Sequence, residues 1–138
     1  ELWAAFTVSL PGHYDHMRYY AGLWCWARRP KQALVWCYTH DQRTRVGTDG
    51  ALCVPEEDKW SLAIPKHDGT VQSTPGYDGF ADGILDCRAL EHAEAHAKGE
   101  RAEYLQTVRN TVPFAMPRPG KALPELQADE VLRKLEAI

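Results

Sequence analysis

The sequence predicts an α+β domain: a small mixed sheet, two to three helices, and a proline-rich C-terminal arm that ends in a short helix. Three observations carry that expectation. Residues 3–10 and 59–64 alternate apolar and polar positions with the period of a half-buried strand. Residues 13–29 and 90–108 place apolar side chains at steps of three and four. Residues 112–124 hold Pro113, Pro117, Pro119 and Pro124, too many for either regular element. The expected division is a single globular domain over residues 1–112, followed by the arm and its amphipathic helix over 113–138.

Taken in order, Ala4, Phe6, Val8 and Leu10 line one face of a first strand that Pro11 and Gly12 end. Met17, Tyr20 or Ala21, Trp24 and Ala27 then mark a helix that stops before Pro30, because a residue preceding proline is pushed out of the helical region. Residues 33–40 form a continuous β-prone run and are expected to be a central strand covered on both faces. Shorter strands are expected at 51–54 and at 59–64, the latter with Trp60, Leu62 and Ile64 inward. Turn-rich stretches at 41–50 and 73–83 bracket them, and His67, Asp68 and Gly69 read as a turn. After a brief run at 84–87, Leu90, Ala93, Ala97, Tyr104 and Val108 fall on one helical stripe that Gly99 weakens or divides. Phe6, Val8, Val35, Cys37, Leu62, Ile64, Leu90 and Leu105 are the expected core.

The 138 residues suffice for one core without staples, and 44% hydrophobic with 25% charged residues is a globular balance rather than a disordered one. No apolar run approaches the ~20 residues of a membrane span, so a soluble chain is expected. The net charge of −3 hides an asymmetry: residues 1–45 carry six Lys/Arg against three Asp/Glu, and the remainder ten against sixteen. That basic excess falls short of a strong polyphosphate footprint. Cys25, Cys37, Cys53 and Cys87 lack the spacing of metal hooks and sit mostly among apolar neighbours, so buried free thiols are expected, with two disulfides as the alternative. Glu1 in place of an initiator Met reads as a processed or trimmed chain, and an organellar compartment fits that reading.

Half of the aromatic residues lie in residues 14–38, interleaved with Arg18, Arg28, Arg29 and Lys31. Trp and Tyr supply large, stiff contact area and Arg stacks on their faces. Arg18, Tyr19, Tyr20, Trp24, Trp26, Arg28 and Arg29 are therefore the candidate interaction surface, joined by Leu126, Val131, Leu132 and Leu135 on the terminal helix.

Catalytic and metal patterns are incomplete. His92 and His96 stand one helical turn apart, yet fall near 200–240° from the Leu90 stripe and so face away from the core. His92, Ala93 and Glu94 resemble the first half of the zinc deaminase signature, but no Pro-Cys-x-x-Cys follows. Cys25 and Trp26 resemble the Cys-aromatic pair of papain-like cysteine proteases over two residues only, with His67, His92 or His96 as downstream bases. The pairs Asp15-His16, His40-Asp41 and His67-Asp68 suit turns and caps, and His13 with His16 and Asp15 a weak surface metal site. No cofactor and no metal are expected. The leading expectation is a non-enzymatic interaction domain, an accessory subunit whose partners are other proteins. The alternatives are a small hydrolase or cysteine-dependent enzyme using Cys25 or the His/Asp pairs, and a single-stranded RNA-binding module that stacks bases on the window's rings.

Overall fold

A computed structural model describes residues 3–6, 14–35, 45–46, 52–53, 63–65, 68–115 and 122–138. Helices dominate, and the expected mixed sheet is overturned. The first helix runs as α1 (Tyr14–Tyr19), a π-helical segment (Tyr20–Trp24) and α2 (Cys25–Arg28). It closes at Arg29, which takes the left-handed conformation at φ 49° while its N–H donates to the Cys25 carbonyl at 2.8 Å; Pro30 then prevents continuation. The later helices are α3 (Pro75–His96), α4 (Glu100–Thr111) and α5 (Ala128–Ala137). Gly99, at φ 55°, separates α3 from α4 as its position in the sequence suggests.

Extended segments pair only two by two. β1 (Trp3–Phe6) lies parallel to β2 (Gln32–Val35), β3 (Arg45–Val46) pairs antiparallel with β4 (Leu52–Cys53), and β5 (Ala63–Pro65) does so with β6 (Val71–Ser73). Among the described residues no pair joins another, so no sheet layer forms. The rest of the expected strands at 3–10, 33–40, 51–54 and 59–64 lies outside the described residues.

The reason for the miss is at 73–89. Gly76, Gly79 and Gly83 read as turn residues in sequence, yet all three are buried inside α3. Thr74 caps that helix by accepting the Tyr77 N–H on its hydroxyl, and Pro75 occupies the first turn, where its missing N–H costs nothing. The glycines serve packing. A methyl placed on Gly79 would collide with the Tyr14 carbonyl, and one on Gly83 would lie 2.6 Å from the Arg18 carbonyl oxygen and 2.7 Å from the Ala21 Cβ.

These contacts fix the direction of packing. Tyr14 reaches Asp82, Arg18 reaches Asp86 and Trp26 reaches Glu94, always 68 residues further along the chain. A constant offset means that the first helix and α3 run parallel, side by side, over their whole shared length.

The core gathers on one side of this pair. Tyr19, Tyr20, Leu23, Trp24, Trp26 and Ala27 pack with Leu90, with Leu105, Val108 and Val112 at α4, and with Ala128, Val131 and Leu135 of α5. Leu90 and Leu105 are buried as the stripe predicts. The side chains of the other six expected core residues lie outside the described set. The terminal helix shares this core rather than extending from it: Val131 is fully buried, and Leu126 and Leu132 pack against the cluster half-buried.

Among the described residues two core side chains, Tyr19 and Trp24, bury a polar atom without a partner. The Tyr19 hydroxyl is buried without a hydrogen-bond partner among the described residues, and burial pushes its pKa up to about 12. An unsatisfied buried hydroxyl costs about 1–3 kcal/mol. Tyr19→Phe should therefore leave stability unchanged or raise it by about 1 kcal/mol, measured by urea unfolding, where a loss above ~1 kcal/mol would reveal a partner for the hydroxyl.

Candidate functional site

Along the same helix pair, a rail of part-buried polar contacts rises in steps of four residues. Tyr14 donates to Asp82 at 2.6 Å, and Arg18 grips Asp86 with two nitrogens at 2.6 and 3.1 Å. Gly22, four residues on, has no side chain to continue the rail and approaches Gly83 and Asp86 closely, and four residues beyond it Trp26 Nε1 donates to Glu94 at 3.2 Å.

Glu94 is the hub of this end. Arg109 from α4 donates to both of its oxygens, at 2.6 and 2.7 Å, and Arg29 adds a third contact at 2.8 Å. The Arg109 guanidinium also lies 4.6 Å from the centre of the Trp26 ring, a cation–π distance. Three helices are thereby tied to one carboxylate. The hydrogen bonds from Arg109, opposed by partial desolvation and assisted by Arg29, hold the Glu94 carboxyl at about 2.

An unfolded Glu titrates near pH ~4.3, so the folded state binds this proton less well. The stability that Glu94 contributes is therefore complete above pH ~4.5 and is lost as the pH falls from there toward about 2. We expect Glu94→Gln to cost about 2 kcal/mol at pH 7, with the gap to the parent narrowing steadily below pH 4.5. Urea unfolding at pH 7, 4 and 3 measures this, and a gap that does not change with pH would contradict it.

Beside the rail the helices part into an open groove of about 710 Å³. Ala21, Cys25, Ile84 and Cys87 form an apolar floor, and Arg29, Arg88, Glu91 and Glu94 line it as well. The groove begins at the π-helical segment, where the Cys25 N–H donates to the Tyr20 carbonyl five residues back. Single π turns widen a helix locally and recur at functional sites. Desolvation pushes the Cys25 thiol up to about 12 and the Cys87 thiol to about 11, so neither is a ready thiolate at neutral pH.

The predicted site residues divide accordingly. Tyr19, Tyr20, Trp24 and Trp26 are core side chains, which leaves their rings no accessible face for a base or a partner in this conformation. Arg18 is committed to Asp86, Arg29 to Glu94, and Arg28 reaches the Arg109 carbonyl at 3.5 Å. Leu126, Val131, Leu132 and Leu135 pack inward on α3 and α4. Only Arg29 of the candidates lines the groove. Ile84, Arg88 and Glu91 were not candidates in the sequence, and Cys87 and Glu94 were weighed there only as a thiol and as half of a deaminase signature, although Asp82, Asp86 and Glu94 repeat the spacing of Tyr14, Arg18 and Trp26.

The described histidines form no cluster with other metal-ligating side chains. His92 and His96 are exposed on α3 with their rings 4.4 Å apart, and no group of three His, Cys, Asp or Glu suited to a metal occurs among the described residues. Asp68 accepts from the Thr70 N–H and hydroxyl, a turn role. His13, His40 and His67 lie outside the described residues. No histidine is among the described residues lining the groove that holds Cys25.

Compared with known proteins, the chain matches no protein-family model, no curated protein and no solved structure. Among the described residues no helix is long and apolar enough to cross a membrane.

Proposed function

We propose that the protein is an interaction domain, an accessory subunit of a larger protein assembly, and that its contact surface is the groove between α2 and α3. The partner element best suited to it is an amphipathic helix with small apolar anchors. The observation that carries this reading is the groove's composition: an apolar floor open to solvent, edged by basic Arg88 and acidic Glu91 one turn apart on α3. Helix-in-groove recognition uses such a pattern, with apolar side chains at the centre and charges setting register at the rim.

The enzymatic alternative has less support, because a Cys25 thiol raised by burial, with no histidine among the described residues lining its groove, is a poor nucleophile. An RNA-binding role would need exposed rings, and the window's rings at Tyr19, Tyr20, Trp24 and Trp26 are in the core.

A photo-crosslinking amino acid placed at Arg88, in the full chain and in its own cells, tests the reading. The same group at Ala102, exposed on α4, serves as the control. A discrete protein adduct from position 88 and none from 102 is the expected result. Adducts from 102 alone, or none from 88, would remove the groove from consideration.

A further inference from the structure

The groove floor holds two thiols that the helix register brings to the same level. Ala21 and Gly83 approach so closely that a methyl on Gly83 would lie 2.7 Å from the Ala21 Cβ. Both helices run in the same direction, so one turn further along each, at the same 62-residue offset, stand Cys25 and Cys87. On α3 a step of four residues rises about 6 Å and changes facing by only about 40°, and the same 68-residue offset before and after the π-helical segment keeps the first helix in step with it, so a close pair is followed by another on the same seam. Both cysteines line the groove together with Ala21, both are free, and both are partly exposed.

We infer that Cys25 and Cys87 form an intramolecular disulfide that clamps α2 to α3 across the groove floor when a disulfide oxidant such as oxidised glutathione is present. The Cys25 sulfur attacks one sulfur of the oxidant and releases one glutathione thiol. Cys87 then displaces the second glutathione from the mixed disulfide. Two protein S–H bonds are exchanged for one S–S bond, and the two electrons and two protons leave as two molecules of reduced glutathione.

The bond closes a loop of about 60 residues, long enough to restrict the unfolded chain strongly. Burial favours the thiol over the thiolate at both sulfurs, which slows formation of the bond and also makes it harder to reduce once formed. This inference stands apart from the groove's partner, since it needs only the helix register.

The full chain is incubated with oxidised glutathione, its remaining thiols are alkylated, and the tryptic peptides are analysed by mass. The expected product joins the Cys25 peptide to the Cys87 peptide at about 2 Da below the sum of the two reduced masses, and the thermal midpoint rises by several degrees. In Cys87→Ser the linked pair disappears and Cys25 is recovered alkylated or carrying glutathione. Recovery of both cysteines as alkylated peptides from the oxidised parent, or linkage of either to Cys37 or Cys53, would overturn the inference.

Discussion

Deleting residues 122–138 should leave a chain that no longer unfolds cooperatively. This segment contributes three buried side chains, Ala128, Val131 and Leu135, and three half-buried ones, Leu123, Leu126 and Leu132, to the single core. At about 1.5–3 kcal/mol for each large apolar side chain, the loss reaches ~5 kcal/mol or more, comparable to the whole stability of a small domain. Val131→Asp, which puts a carboxylate where the side chain is fully buried, should act almost as strongly. Circular dichroism against temperature measures both. A truncated chain that keeps a sharp transition within a few degrees of the parent would show that α5 is the detachable docking arm its proline-rich approach suggested.

Gly83→Leu should be strongly destabilising on the helix seam. In an isolated helix, replacing glycine by a better helix former gains up to about 1 kcal/mol. Here the first carbon added already lies 2.6 Å from the Arg18 carbonyl oxygen, which is backbone and cannot rotate away. Overpacking typically costs about 1–3 kcal/mol, and the remaining leucine carbons push it to the upper end, so the collision wins. Gly22→Ala is the internal comparison: its nearest contacts are 3.1–3.4 Å, so propensity and crowding nearly cancel. Urea midpoints that rank Gly83→Leu as neutral, or Gly22→Ala as the worse of the two, would mean that the helices do not meet there.

Those glycines also explain how far the sequence could be read. Periodicity located the first helix almost to the residue, found the division at Gly99, and placed Leu90 and Leu105 inside. It failed where a residue type has two uses. Glycine permits a turn and equally permits two helices to touch, and only the partner 61–65 residues away decides which. The same ambiguity governed the aromatic window, since Trp and Tyr beside Arg suit a core as well as an interface. Trp26 settles inward because its indole N–H finds Glu94 and its face finds Arg109, two residues that lie 68 and 83 positions later in the chain. The terminal helix was legible as amphipathic, but its pattern could not say whose core it would cover.

The groove was hidden for a related reason. Its floor residues carry no motif, and Ile84 and Cys87 on its α3 side stood in a brief run ahead of the expected helix. Once α3 begins at Pro75, however, the spacing Asp82, Asp86, Glu94 becomes visible as the counterpart of Tyr14, Arg18, Trp26.

Every assignment of the site rests on the parallel register between the first helix and α3, and nuclear Overhauser contacts in the full chain test it most directly. With alanine methyls labelled, the Ala21 methyl should show a strong contact to the Gly83 α-protons, and the Tyr14 α-proton one to Gly79. Contacts from Gly79 to residues at the Arg28 end, or from Gly83 to none of Arg18, Ala21 and Gly22, would contradict the register, and the groove, its charged rim and the cysteine pair would fall with it.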